Sequence, residues 1–398
     1  MTPYLLGDDL SGVLEAGAAF RAEGWRVVLP LTDAPGETGP DTLRLVTTES
    51  RNLAATEAAA EVRRVTAEAA AAGQTLLFKK IDSTLRGPIG AELRAIMTGR
   101  TPPLVVLCPA NPAAGRTVRD GLLRIHGVPL AETDFRHDPH WPARESRVSA
   151  LLRNQGVEGA GELLLSDLRT RPEETLGRLR AAGPVVLSDA EEANDLVRLV
   201  RAVTAVEPDA LLVGSGALAA VIARERARPG GVPLRRPDLS DLVILSGTQH
   251  PVTHRQLDHV ARTFGLRVQE HCVGRDDLAT TVATVAAAYR QRPLVAVRLG
   301  ADKGLGAQAS GRLLAAAAEL AVALDAQVQP KAWCVTGGET AWQVCRALGG
   351  TALEVRAEFE PGLVASTLRR SGAAPCTLVT KPGGFGDEAA LSRLWNVK

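Results

Sequence analysis

Short runs of apolar and β-branched residues alternate along this chain with longer Ala- and Leu-rich stretches whose apolar positions recur at helical spacing. That alternation predicts βα units and mainly parallel sheets, and therefore an α/β class. In the first half the pattern predicts strands at 3–6, 26–31, 43–47, 75–81, 104–108, 184–188 and 210–213. Between them Ile89, Leu93, Ile96 and Met97 share one helical face, and the Ala-rich stretch 54–72 is a helix by propensity. In the second half strands are predicted near 242–246, 267–271, 294–299, 332–336 and 376–381. The style of the first half returns there without its sequence, so no internal repeat is present.

A chain of 398 residues that is 45% hydrophobic buries a large core, and at roughly 150 residues per domain it reads as two domains. Each is expected to hold a mainly parallel sheet flanked by helices. Helical and strand periodicity both fail over ARERARPGGVPLRRPDLSD, residues 223–241, where Pro, Gly and Arg gather. The predicted division is an N-terminal domain over 1–225, a linker over 226–241 and a C-terminal domain over 242–398.

Charge changes the picture by exclusion. Lys and Arg total 46 against 45 Asp and Glu, so no net positive field favours a nucleic-acid backbone or an anionic membrane. With 3% aromatic residues, stacking platforms for single strands are not expected either. No apolar run approaches the roughly 20 residues that span a bilayer, and MTPYLLGDDLSG places two acids where a signal peptide needs an apolar stretch. The expected compartment is the cytoplasm. Cys108, Cys272, Cys334, Cys345 and Cys376 form no CxxC pair and read as buried thiols. His250 and His254 have i,i+4 spacing but no third ligand, which suits a capping or nucleotide-adjacent role better than a metal site. No protein metal site is expected, and a homo-oligomer is left open.

Three motifs in the first half carry charge at strand ends. GDDLSG, residues 7–12, follows a short strand and opens a helical pattern, so Asp8 and Asp9 sit where open α/β sheets bind ligands. One acid would cap the helix; two also offer acceptors for substrate hydroxyls and for a proton. Adjacent residues on an extended segment point opposite ways, so the pattern leaves open which of the two faces a substrate. KKIDSTLRGPIGAEL, residues 79–93, puts Lys79, Lys80 and Arg86 beside Asp82, Ser83 and Thr84. Such a cluster suits a carboxylate or phosphate, with Arg binding as a fork and Lys as a point charge. CPANPAAGRTVRDG, residues 108–121, adds Arg116 and Arg119 on a Pro/Gly-rich loop, and Arg51 after TTES adds a further cation. Asp8 and Asp9 are the candidate proton acceptors, with Asp82 in reserve.

In the second half glycine replaces charge. SGT (Ser246, Gly247, Thr248), GGET (Gly337, Gly338, Glu339, Thr340) and KPGGFG (with Gly383 and Gly384) each follow a predicted strand. Turns of this kind let backbone N–H groups and helix N-termini approach phosphates, which favours nucleotide binding. No GxxxxGK[ST] loop, no GxGxxG opening a βαβ unit and no GxSxG elbow is present, so the common P-loop, Rossmann and α/β-hydrolase mechanisms have no support.

The ordered set GDDLSG, KKIDSTLRG, CPANPAAGR, SGT, GGET and KPGGFG resembles the four-carbon acid sugar kinase family over nearly the whole chain, KKIDSTLRG most specifically. The resemblance implies a two-domain kinase that uses ATP, with Mg²⁺, to phosphorylate an acid such as erythronate, threonate or a 3-oxo-tetronate. It implies an acid site around Asp8, Asp9, Arg51, Lys80, Asp82 and Arg86, and a nucleotide site lined by Ser246, the GGET turn and the KPGGFG glycines. Two positions depart from the family pattern. Ser11 replaces a Thr and Glu15 an Asp, each keeping its functional group, so substrate choice is affected more than activity. The alternative reading is a non-catalytic two-domain receptor that closes on a small sugar acid, its C-terminal glycines serving as tight turns. An oxidoreductase or lyase for the same acid is a third.

Overall fold

The computed structural model describes all residues except 1, 33–38, 40, 101, 139, 230–237 and 396–398. The strands in chain order are β1 (Thr2–Gly7), β2 (Arg26–Pro30), β3 (Thr42–Thr47), β4 (Gln74–Lys80), β5 (Val105–Cys108), β6 (Arg116–Arg119), β7 (Leu122–Ile125), β8 (Val128–Pro129), β9 (Gly161–Leu163), β10 (Val185–Ser188) and β11 (Leu211–Gly214). They continue with β12 (Leu242–Ser246), β13 (Val268–Val273), β14 (Leu294–Ala301), β15 (Ala332–Thr336), β16 (Gly350–Glu360), β17 (Leu363–Arg370) and β18 (Cys376–Lys381). The chain forms two compact units: Met1–Trp25 with Thr38–Gly231, and Arg26–Glu37 with Val232–Lys398.

The first unit is built on a parallel sheet in the order β3-β1-β4-β11-β5-β10-β9. Its strands are near-continuous apolar runs because helices cover both faces. The Ala-rich stretch forms the helix Ala55–Ala71, and Ile89, Leu93 and Ile96 are buried on the helix Ile89–Arg100. Register places Thr47, Gly7, Lys80, Gly214 and Cys108 side by side at the carboxyl ends of five adjacent strands. The loops that leave these residues therefore start at one level. A small antiparallel sheet, β6-β7-β8, follows the loop after β5.

In the second unit β13-β14-β12-β15-β18 run parallel, and β17, β16 and β2 extend the sheet antiparallel. Ser246, Thr336 and Lys381 are direct neighbours across β12, β15 and β18. The core gathers Ile244, Leu257, Val260, Ala296, Cys334, Val379 and Leu391. Cys108, Cys334, Cys345 and Cys376 are buried thiols, while Cys272 is half-buried.

One segment departs from the sequence expectation, which gave all of 1–225 to the first domain. The apolar strand RVVLP pairs with β16, Leu353 opposite Leu29 and Ala352 opposite Pro30, so the described residues 26–32 belong to the second unit. Periodicity finds a strand but carries no information about its sheet. Of the expected linker 226–241, residues 230–237 lie outside the described residues. No helix among the described residues is long and apolar enough to cross a membrane.

Candidate functional site

In the first unit the strand-end row is stitched together by backbone and hydroxyl bonds. Thr48 donates to the Gly7 carbonyl through its N–H (3.0 Å) and its hydroxyl (3.1 Å), and the Arg51 N–H donates to the Asp8 carbonyl at 3.2 Å. The loop after β3 is thereby locked to the turn after β1. Beneath it runs a buried chain of polar contacts: the Thr48 and Ser50 hydroxyls meet at 2.6 Å, Ser50 donates to Glu92, and Lys79 pairs with Glu92 at 2.8 Å. Lys79 and Glu92 are sealed at 0% and 1% side-chain exposure, so each charge is met only inside the protein.

Arg51 joins the two acids of GDDLSG. Its Nε donates to Asp8 Oδ2 at 2.8 Å and its Nη2 to Asp8 Oδ1 at 2.9 Å and Asp9 Oδ1 at 2.5 Å. The fork geometry makes these strong, charge-assisted bonds. Burial works to raise the Asp8 pKa, but Arg51, Lys79 and Lys80 together hold it below the ordinary carboxylate value. The two acids divide their work as extended geometry requires. Asp9, at φ −149°, accepts from the Gly12 N–H at 3.1 Å and caps the helix Leu10–Ala22, while Asp8 lies buried beneath Arg51. Gly12 is required here, because a β-carbon would lie 2.5 Å from Asp9 Oδ1 and 2.8 Å from Lys80 Nζ. Lys80 ends 3.5 Å from Glu15 and donates to the Ile81 carbonyl.

Asp82 is held in the same way. Arg86 grips it through Nε (2.8 Å) and Nη2 (3.1 Å), and the Thr84 hydroxyl and N–H also donate to it. Burial opposes ionisation, but Arg86 and Arg51 keep its pKa well below the usual range. Arg86 also reaches Asp138 at 3.5 Å and stands 5.9 Å over the Phe135 ring. Ser83 is buried next in sequence, and the half-buried Arg116 lies within the field of Asp82, Glu15 and Arg86.

The structure therefore brings Asp8, Asp9, Arg51, Lys80, Asp82, Arg86 and Arg116 to one row of strand ends. It places Lys79 on the opposite face of β4, against Glu92. Sequence reasoning missed Glu49, between the two buried hydroxyls, and the signal available was its place between Thr48 and Ser50 in a loop already singled out for Arg51.

The second unit gathers its three glycine turns at the row Ser246, Thr336, Lys381. The Thr336 hydroxyl donates to Ser246 Oγ at 2.9 Å, and the Gly337 N–H donates to the Lys381 carbonyl at 2.8 Å. Gly337, at φ 97°, occupies a region open to glycine and leads into the helix Gly338–Ala347, with Glu339 exposed and Thr340 buried in its first turn. A β-carbon at Gly247 would fall on the Thr340 side chain, and one at Gly383 on the Thr248 hydroxyl. Those two glycines are thus demanded by the packing of one turn against the next. Gly384 faces the His250 ring, whose Nδ1 accepts from the Val252 N–H and caps the helix Pro251–Phe264.

Lys381 is the second residue that sequence reasoning passed over, although it opens KPGGFG. It is completely buried, and its Nζ donates to Thr253 Oγ1 (3.1 Å), the Pro382 carbonyl (2.9 Å) and the Gly383 carbonyl (3.4 Å). Burial pushes its pKa down to about 8. Thr253 and Gln256 bind the other side of the loop through the Gly383, Phe385 and Asp387 carbonyls. Among the described residues no three His, Cys, Asp or Glu side chains are grouped to hold a metal ion.

Comparison with known proteins finds two family models in succession along the chain. Residues 4–222 match the family of sugar-binding N-terminal domains, and residues 243–391 that of nucleotide-binding C-terminal domains. The chain is 34% identical to a D-threonate kinase of Bordetella bronchiseptica, over 98% of this chain and 96% of that one. It is 27% identical to a 3-oxo-tetronate kinase of Cupriavidus necator, covering 96% and 93%. Among solved structures it is similar to a domain of unknown function from Bordetella bronchiseptica, a domain-swapped dimer with bound citrate, at 32% identity, a TM-score of 0.50 and coverage of 98% and 96%.

Proposed function

Since the chain belongs to the four-carbon acid sugar kinase family, we propose that it transfers the γ-phosphoryl group of ATP to a hydroxyl of a four-carbon sugar acid of the threonate, erythronate or 3-oxo-tetronate type. The observation that carries this reading is the contrast between its two rows of strand ends, one dense in arginine–carboxylate pairs and one in backbone turns. A small hydroxy acid needs both a cationic partner for its carboxylate and acceptors for its hydroxyls. Arg86, Arg116 and Lys80 offer the first, and Asp8, Asp9 and Asp82 the second.

The nucleotide goes to the second unit. The N–H groups that open the helix Gly338–Ala347, the Ser246, Thr248 and Thr340 hydroxyls and the KPGGFG loop are the groups suited to phosphate oxygens. Mg²⁺ belongs to this reading as the partner of the phosphates, where it neutralises charge during transfer. Asp8 and Asp82 are better suited to orienting hydroxyls than to taking up a proton, because their arginines hold them ionised. In this reading Lys79 and Glu92 position the loop that carries Arg51 and do not touch the acid.

The test is ADP release measured with Mg²⁺ and a panel of aldonic and 3-oxo acids. ADP should form only when a four-carbon acid is present. ATP alone should raise the melting temperature. Silence across the panel from a folded sample rejects the kinase, and stabilisation by acid without any response to nucleotide favours the receptor.

A further inference from the structure

Glu15 pairs with Lys80, and four further carboxylates approach the strand ends β3 and β1 and the turn after β4; three of these are committed to arginine, Asp8 and Asp9 to Arg51 and Asp82 to Arg86. The fourth, Glu49, has a different setting. Its neighbours Thr48 and Ser50 turn inward to the buried hydroxyl chain, whereas the Glu49 carboxylate stays outside that chain and meets the Thr47 hydroxyl. Its backbone sits at φ +47°, a left-handed conformation that side-chain-bearing residues rarely adopt. Strain of this kind persists where the surrounding contacts over-determine it, and here the Gly7 and Asp8 carbonyls bind the loop on both sides of Glu49. The half-buried carboxylate receives one hydroxyl, that of Thr47 at 2.5 Å, and forms no ion pair among the described residues.

We propose that Glu49 is the group that accepts the proton of the attacking hydroxyl, an inference that rests on the kinase reading above. As the sugar-acid oxygen forms its bond to the γ-phosphorus, its O–H bond breaks and the proton passes to Glu49. The bond from the γ-phosphorus to the β–γ bridging oxygen breaks with its electron pair, which leaves on ADP. A proton acceptor works best when its own pKa lies near the working pH. The groups facing Glu49 set that value. Burial raises it, the carboxylates of Asp9 and Asp8 repel its charge, and the Thr47 hydroxyl and Arg51 compensate only in part, so that it is pushed up to about 8. Asp8 and Asp82, held low, lack that property.

The test pairs kinetics with melting. At saturating ATP, kcat/KM for the acid should rise with pH through an apparent pKa of about 8 in the native protein. Glu49→Gln should lower kcat by roughly 10²-fold or more, leave the acid KM within a few fold, and abolish that rise. Glu49→Asp should recover part of the rate and keep the rise. Melting supplies a readout that needs no turnover. A folded-state pKa above the unfolded value of 4.5 means that the native state binds the extra proton. Its stabilising effect is complete below about 4.5 and is lost as pH rises through about 8, so Glu49→Gln should gain in Tm relative to the native protein over that span. An active native enzyme whose Glu49→Gln variant keeps kcat and the pH rise overturns the proposal and leaves the kinase standing. A flat Tm difference also overturns it, and a native protein silent with every acid removes the kinase reading and this inference with it.

Discussion

The two rows of strand ends are held in place by opposite means. In the first unit, charged side chains are fixed by one another: Arg51 across Asp8 and Asp9, Arg86 across Asp82, Lys79 against Glu92. In the second, the backbone turns are held by the Thr253 hydroxyl, the Gln256 amide and the buried Lys381, with the Thr336 hydroxyl bonded to that of Ser246 beside them. The first arrangement is strong but brittle, since removing one member strands a buried charge. The second loses less with each deletion, because each contact is a single neutral or singly charged hydrogen bond.

The largest effect should therefore come from Arg51→Ala, which leaves the buried Asp8 and its neighbour Asp9 without their cation. A loss of about 3–5 kcal/mol in unfolding free energy is expected. Urea melts check it, and acid turnover should fall with it while the KM for ATP holds in whatever remains folded. A stability change below about 1 kcal/mol would mean that the pairs are not what stiffens the first row.

Next comes Lys381→Met, which should raise the KM for ATP by roughly tenfold, worth about 1.4 kcal/mol, and leave the acid KM unchanged. The buried ammonium has a pKa of about 8 against an ordinary 10.5. Its neutral form is favoured in the folded protein, so the native state gains stability as pH rises from about 8 to about 10.5. The same deprotonation should raise the native KM for ATP above about pH 8, and the Met variant should lose both dependences. An acid KM that moves with ATP would show that the two rows do not act separately.

The smallest effect separates the two neighbouring aspartates. Asp9→Asn keeps a good helix cap and should cost well under about 1 kcal/mol in stability, with a few-fold loss of acid turnover. Asp8→Asn, which breaks a buried bidentate pair, should cost more on both counts, and equal losses would undo the division of labour read from the geometry.

Most strands of both sheets were legible because each is a short apolar run bounded by turn residues, and the expected bounds of β12, β15 and β18 coincide with those observed. The hairpin β16–β17 was not. LEVRAEFE mixes Leu, Glu, Arg and Ala, all good helix formers, and its period-2 pattern of Leu353, Val355 and Ala357 emerges only when β17 and β2 lie alongside. The site was legible where residue type alone carries the chemistry. A strand end holding two acids, or two lysines followed by an arginine, is visible in any sequence.

Residue type and order by themselves determined the α/β class, the strand-end position of GDDLSG and KKIDSTLRG, and the switch from charged to glycine turns between the halves, because these depend on local periodicity and composition. Only the tertiary structure decided which sheet takes residues 26–30, that Lys79 turns away to Glu92 while Lys80 does not, and that Glu49, beside the arginine-paired Asp8 and Asp9, forms no ion pair among the described residues. Those outcomes rest on register and on neighbours far apart in the chain. A one-residue step along a strand reverses the face of a side chain, and the pKa of a carboxylate is set by whichever charges the fold brings beside it.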